Sequence, residues 1–358
     1  MKKRILAMLL AGAMTLSLAA CGGGGGAAPP APKDAPAPAT TPAETKPADG
    51  GETLTPPATP SVVRISCGPL NGYQNVLYNA IADLMGKSYP GFYSFAIEAS
   101  TGSAENARLL ANGETDFGTM GMDMTLSCYN AEGDFAGMPA QQITHVATHS
   151  GTGATIQVIT SAKNDSINSI PDLKGKKFGV TAGMMAGYLD DVLFAYDMTT
   201  DDLGKITNLS LTDLCNALQD GTIDAFLYAT PAPSTNFTDL AMTYGIKLID
   251  IGQEAVDKLI ETKPWYHAVP IPGGTYKGVD DDVVSFAQYT VLCARADVPE
   301  ETVYHLVKTM MDNADALEAV HKNAAGTNPE RGIEGALIPY HPGALRYYHE
   351  VGLLQDVQ

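Results

Sequence analysis

Leu109-Leu110-Ala111-Asn112-Gly113-Glu114-Thr115-Asp116-Phe117 is followed, 108 positions later, by Ala217-Leu218-Gln219-Asp220-Gly221-Thr222-Ile223-Asp224-Ala225. Each stretch reads as the end of a helix, a glycine that stops it, and an aspartate leading into an apolar strand. Helix–Gly–strand is common in α/β proteins; the shared Gly and Asp spacing sets these two apart. The pairing predicts two lobes built from one unit.

The same rhythm runs outward from both stretches. Before the first, Ser61–Cys67 alternates as a strand and Gly68-Pro69-Leu70-Asn71-Gly72 breaks it. Tyr73–Gly86 then carries Val76, Leu77, Ala80, Ile81, Leu84 and Met85 at helical spacing. Phe92–Ala99 reads as a strand, Ser103 onward as a helix, Asp116–Gly121 as a strand and Met122–Tyr129 as a helix start. Around the second stretch, strands Lys176–Thr181, Ile206–Ser210, Ile223–Tyr228 and Lys247–Ile251 alternate with helices Gly187–Tyr196, Thr212–Leu218 and Ser234–Tyr244. Alternation of this kind implies right-handed crossovers and a largely parallel sheet. Val284–Ala294 reads as one long strand, Pro299–Val320 as one long amphipathic helix and Tyr340–Gly352 as a last helix. The expected architecture is α/β: lobe one at 61–150, lobe two at 151–284, and a return to lobe one at 285–358. Two crossings, near His149–Gln157 and Val284–Ala294, would make a hinged cleft with ligands at helix N-termini.

The N-terminus reads as an address. Lys2, Lys3 and Arg4 precede an apolar run, Ile5 to Ala20, as in a secretory signal. Leu18-Ala19-Ala20-Cys21 resembles the lipobox of bacterial lipoproteins, which implies that Cys21 is lipidated and heads the mature chain. Residues 21–60 then read as a Gly/Pro/Ala-rich tether, too poor in large apolar residues to fold. The expected location is extracytoplasmic and lipid-anchored to the cell membrane.

Lys+Arg is 22 against 40 for Asp+Glu, a net charge of −18. Removing residues 1–20 takes off three positive charges and leaves −21; the tether carries −2 of that, so the body of 298 residues carries −19. This balance excludes a basic nucleic-acid binder and adhesion to anionic lipid through a basic face. It also gives no long-range help in attracting an anion. Beyond Cys21, the cysteines Cys67, Cys128, Cys215 and Cys293 are 61, 87 and 78 residues apart and form no metal or redox pair. They read as buried thiols, with a disulfide in an exported chain left open.

No catalytic constellation stands out: there is no phosphate loop, no His-Glu-x-x-His and no Gly-x-Ser-x-Gly. His145 and His149 share a strand face about 13 Å apart by strand rise, too far for a metal pair. Asp172 reads as a turn and cap residue, and Trp265-Tyr266 as an aromatic pair in a loop, packed in the core. We therefore expect no enzyme, no metal and no cofactor. What remains are polar turns after strands. Thr101-Gly102-Ser103 offers hydroxyls and helix-start N–H groups as an anion pocket, with Asn106 one turn on. Thr181–Gly187 and Tyr228–Ser234 are the lobe-two turns.

These segments resemble the TAXI solute-binding receptors of TRAP transporters (tripartite ATP-independent periplasmic transporters), over nearly all of 61–358. The resemblance is carried by Thr101-Gly102-Ser103-Ala104-Glu105-Asn106-Ala107-Arg108-Leu109-Leu110, by Ile170-Pro171-Asp172-Leu173-Lys174-Gly175-Lys176, by Ile271-Pro272-Gly273-Gly274-Thr275-Tyr276, and by Ile338–Tyr348 (IPYHPGALRYY). It implies a class II periplasmic-binding fold, with two lobes joined by two crossing strands around a cleft. It also implies capture of a small organic anion or amino acid and delivery to a membrane permease, driven by an ion gradient. The ligand set expected from the resemblance and the turns is Gly68, Asn71, Tyr73, Thr101, Gly102, Ser103, Asn106, Met122, Asp123, His149, Met184, Gly187 and Thr230. Where the family's lobe-two turn is rich in Gly, Ser and Thr, this chain has Met184, Met185 and Ala186. Each hydrogen bond lost to a carboxylate costs about 1.5–3 kcal/mol. That points to a ligand less polar than glutamate, such as a branched or aromatic carboxylic acid. Two other readings stay open: a sensor lipoprotein docking to a signalling partner, and an enzyme of periplasmic-binding fold.

Overall fold

The computed structural model describes residues 56–70, 72–149 and 154–354. The signal segment, Cys21, most of the tether, Asn71 and the middle of the first crossing lie outside the described residues. The chain begins with β1 (Ser61–Ser66), α1 (Tyr73–Ser88), β2 (Tyr93–Glu98), α2 (Ser103–Ala111), β3 (Phe117–Gly121), α3 (Met122–Asn130) and β4 (Ile143–Thr148). It continues with β5 (Ile156–Ser161), β6 (Phe178–Val180), α4 (Met184–Ala195), β7 (Ile206–Asn208), α5 (Leu211–Gln219), β8 (Ala225–Ala229), α6 (Thr235–Thr243), β9 (Ile246–Ile249) and α7 (Gln253–Thr262). After these come β10 (Tyr266–Ile271), β11 (Val283–Gln288), β12 (Thr290–Arg295), α8 (Glu300–Asp312), α9 (Ala314–Val320), α10 (Pro329–Gly332) and α11 (Pro342–Glu350).

Two five-stranded sheets result, ordered β2-β1-β3-β12-β4 and β7-β6-β8-β5-β9. The orders are the same pattern: second, first and third strands, then a strand arriving from the other lobe, then the fourth. β12 reaches lobe one after the chain has built lobe two, and β5 opens lobe two after the chain has built most of lobe one. This is the two-lobed class II periplasmic-binding fold expected above.

Burial explains why the central strands read as unbroken apolar runs. Along β12, Leu292 and Ala294 pack into one cluster of lobe one with Ile65, Ile81 and Leu306. Val291 and Cys293 face the opposite cluster with Ala107, Leu110 and Met120. Along β8, Leu227 and Phe226 divide in the same way between the two clusters of lobe two. A strand covered by helices on both faces has no polar side, so its sequence does not alternate.

Several expectations need correction. Each sheet keeps four of its five strands pointing one way but is mixed: β12 runs antiparallel to β3 and β4, and β5 antiparallel to β8 and β9. A strand that enters from the other lobe has no crossover helix forcing it parallel. The run Val284–Ala294 is two strands with a break at Tyr289. The Tyr289 N–H donates to the Trp265 carbonyl at 3.1 Å, and its own carbonyl accepts from the Met122 N–H at 2.9 Å. Its backbone thus ties one lobe to the other instead of continuing a ladder. The strand β10, antiparallel to β11, was not expected. It begins at Tyr266, so Trp265-Tyr266 enters a strand and is not a loop pair; Tyr266 is nonetheless buried in the core. The single helix 299–320 breaks at Asn313, whose amide donates to the Thr309 carbonyl at 2.8 Å. An asparagine that bonds the turn before it competes with helix continuation. α4 starts at Met184, three residues earlier than its sequence suggests. The cysteines of the body are free thiols, with Cys67, Cys128 and Cys293 buried.

Candidate ligand-binding cleft

The two halves of the repeat meet the same local constraints. Gly113 (φ 74°) and Gly221 (φ 69°) both stop their helices in the left-handed region. No side chain is well suited to that conformation except glycine's hydrogen. Each turn then delivers a strand, and the first of these, β3, ends at Gly121 on a cleft of about 470 Å³.

Five short pieces of chain line it. From lobe one come the β2–α2 turn, Thr101 to Glu105, and the start of α3, with Gly121, Asp123 and Met124. From lobe two come Met184 and Tyr188, one helical turn apart on α4. Gln288 and Thr290 flank the β11–β12 break, and Ala154 lies just before β5. The cleft therefore sits against the crossings.

The turn leading into α2 is already partnered at Thr101. Both the backbone N–H and the hydroxyl of Thr101 donate to Glu105 Oε2, each at 2.6 Å. These bonds hold the Glu105 carboxyl below its usual range. Two donors of the anion pocket expected at Thr101-Gly102-Ser103, both on Thr101, thus serve the protein's own carboxylate. Ser103 is used as well: its Oγ accepts from the Gly121 N–H at 3.1 Å. Ser100 Oγ accepts from the N–H groups of Gly68 (3.0 Å) and Gly102 (3.3 Å), tying the first glycine turn to the second.

Asp123 stands opposite. Its Oδ1 accepts from the Met124 N–H at 2.6 Å and from the Gln288 side-chain amide. Burial pushes its pKa up despite both bonds. Gln288 is shared, since the Tyr188 hydroxyl donates to its Oε1 at 3.1 Å. Tyr188 of lobe two and Asp123 of lobe one are therefore linked through one amide on the crossing. Gly121 makes room for this link. A Cβ there would lie 2.7 Å from Gln288 Nε2 and 2.8 Å from Asp123 Oδ1, inside contact distance. The Tyr188 hydroxyl also lies 3.3 Å from the Met184 sulfur. Behind Tyr188, buried Asp191 accepts from the Lys263 ammonium and the Tyr266 hydroxyl, which anchors α4 to β10.

Of the expected ligand residues, Thr101, Gly102, Ser103, Asp123 and Met184 line the cleft. The others do other work. Asn106 is buried, donating to the Thr119 carbonyl at 2.6 Å, and so pins α2 to β3. Met122 is wholly buried in a lobe-one cluster. His149 is buried with Nε2 2.8 Å from the Tyr78 hydroxyl. Tyr73 packs on His321, ring centroids 5.5 Å apart. Gly68 is held in the turn by Ser100, and Gly187 lies within α4. The Thr230 backbone bonds Thr155 and Gln157 at the first crossing. Asn71 is outside the described residues. Among the described residues no group of three or more His, Cys, Asp or Glu is placed to hold a metal ion.

Glu105, Met124, Tyr188, Gln288 and Thr290 were not singled out from sequence. Two signals were available. Gln288 is the one amide in the apolar run 284–294, and Tyr188 follows Met184 by four on a helix.

A ligand-sized cleft between two lobes that exchange strands defines the class: a two-lobed α/β protein of periplasmic-binding fold. The chain belongs to the NMT1-like family, which it matches over residues 65–352. Among solved structures it is similar to the periplasmic aliphatic sulphonate binding protein SsuA from Escherichia coli, at 16% identity over 81% of this chain and 79% of that one, TM-score 0.48. It is also similar to a putative sulfonate ABC transporter periplasmic sulfonate-binding protein from Methylobacillus flagellatus KT (17%, covering 81% and 84%, TM-score 0.46). A third is the probable amino-acid ABC transporter extracellular-binding protein ytmK from Bacillus subtilis (13%, covering 75% and 99%, TM-score 0.38).

Proposed function

We propose that this chain is the extracytoplasmic solute-binding subunit of a TAXI-type TRAP transporter. It captures a small organic solute and hands it to a membrane permease for ion-gradient-driven uptake. In this reading residues 1–20 are a cleaved signal, Cys21 carries the lipid, and residues 21–60 hold the body off the membrane. The observation that carries the proposal is the placing of the cleft. Its lining comes from both lobes and from the crossing at Gln288 and Thr290, so a ligand there couples to lobe closure. The lining supplies hydroxyls, an amide, two carboxylates, methionines and a tyrosine, a set suited to holding a small solute. The apolar share, Met124, Met184 and Tyr188, supports a ligand less polar than glutamate. An amino acid fits the lining better than a simple organic acid, because no side chain of Lys, Arg or His lines the cleft among the described residues.

The test is native mass spectrometry of the protein as purified, followed by thermal-shift screening of amino acids and organic acids. A co-purified small molecule released unchanged, with stabilisation on adding it back, is the expected result. A molecule that is chemically converted on incubation would replace this reading with an enzymatic one. Uptake that persists when the neighbouring permease is deleted would favour the sensor.

A further inference from the structure

We infer that the cleft selects a ligand bearing a protonated amine, held by the Glu105 and Asp123 carboxylates, with its apolar body against Met124, Met184 and Tyr188. The inference rests on the cleft being the ligand site and names the ligand class. Both charged side chains that line it are carboxylates, one on each of two lobe-one segments. The cations near these segments are engaged elsewhere. Arg108, which acts on Glu105, reaches the Asp134 carboxylate at 3.5 Å and lies over the Phe135 ring at 5.8 Å. Lys263 is bonded to Asp191 behind Tyr188.

A carboxylate ligand would meet two like charges in a partly desolvated space. It would also approach the Glu105 carboxylate where the Thr101 N–H and hydroxyl already hold it. An ammonium meets the opposite situation. It donates charge-assisted bonds to both acids, and it relieves the cost of a half-buried Asp123. A tyrosine ring and polarisable methionine sulfurs accept the carbon skeleton of a cation without opposing its charge. An amino acid belongs to this class through its ammonium, whereas a simple carboxylic acid does not.

The experiment is isothermal titration of the full chain with two matched series on common skeletons: isopentylamine, leucine and 4-methylpentanoate; and phenethylamine, phenylalanine and 3-phenylpropionate. The amine-bearing members are expected to bind at least about tenfold more tightly than the acid of the same skeleton. Glu105→Gln and Asp123→Asn should each weaken them by about tenfold, since each keeps an acceptor and removes the charge. Tighter binding of the acids, or a co-purified ligand with no basic nitrogen, would overturn this inference and leave the solute-binding reading standing. Absence of binding by every member, together with protein that purifies empty, would overturn both.

Discussion

Asp116 accepts the Arg64 backbone N–H at 2.8 Å, and Asp224 accepts the Lys177 backbone N–H at 2.8 Å in the other lobe. The return bonds match too, from the Asp116 N–H to the Arg64 carbonyl and from the Asp224 N–H to the Lys177 carbonyl. The two aspartates are 108 positions apart and hold the first strand of each lobe to the third. Each carboxylate satisfies an N–H just before a parallel ladder begins. Asp116→Ala and Asp224→Ala should each lower unfolding stability by about 1.5–3 kcal/mol, the range for hydrogen bonds to a charged group. Asp116 should sit at the upper end, because Arg295 also approaches it at 3.5 Å. Urea unfolding of the two variants measures this; equal stability to the parent would remove the repeat's structural role.

Gly121→Ala should disturb the cleft more than the fold. The added methyl meets Gln288 and Asp123 at under 3 Å, both being side-chain ends. Gln288 must swing away, and the bridge from Asp123 to Tyr188 opens. Overpacking of this kind costs about 1–3 kcal/mol. Ligand affinity should fall by a larger factor than a remote glycine substitution such as Gly133→Ala produces. Titration of both variants with the co-purified ligand checks it.

Lys263→Met leaves Asp191 buried without its cation. Removing one member of a buried pair costs about 3–5 kcal/mol, and the part exposure of Lys263 lowers the expectation to about 2–4 kcal/mol. Asp191→Asn combined with Lys263→Met should recover part of the loss, since no uncompensated charge remains. Thermal unfolding of the single and double variants decides between a charge effect and simple loss of packing.

Acid should weaken this protein through its histidines. Burial pulls His145 and His149 down to about 4 from 6.5. The unfolded chain takes up these protons near pH 6.5, while the folded chain resists until about 4. The unfolded state therefore binds more protons in that window, and stability falls as pH drops from 6.5 toward 4. Each histidine accounts for roughly 3 kcal/mol by the bottom of the window. His149→Gln should be less stable than the parent at pH 7, through loss of the Tyr78 bond, yet show a flatter decline below pH 6.5. Urea unfolding at pH 7, 5.5 and 4.5 tests the difference in slope.

Cys21→Ala should abolish incorporation of labelled palmitate in cells and release the protein from the membrane fraction. The variant body should bind ligand as the parent does, because no cleft residue precedes Thr101. Persistent membrane association of the variant would argue against the lipid anchor.

Much of the scaffold was legible in the chain. Local signals sufficed where an element is defined by its own neighbours. The two Gly stops, the Asp leads and the apolar spacing of α1 all act within a few residues. The Ser169–Asp172 capping box likewise bears out the turn-and-cap reading of Asp172. The site was legible only in part. The turn at Thr101–Ser103 was visible as a helix start, but the bonds from Thr101 to Glu105 were not. Asn106 and Met122 looked equally available, and packing turned both toward the core.

The sequence by itself determined the two-lobed α/β plan and its acidic, cation-poor character, because patterning and charge count are local or additive properties. Tertiary structure decided the antiparallel entry of β5 and β12 and the break at Tyr289. It also decided the meeting of Asp123, Gln288 and Tyr188, residues that are 65 and 100 positions apart along the chain from Asp123 to Tyr188 and from Tyr188 to Gln288. Such a meeting depends on how two lobes pack across a crossing, and no interaction within a window of sequence carries that information.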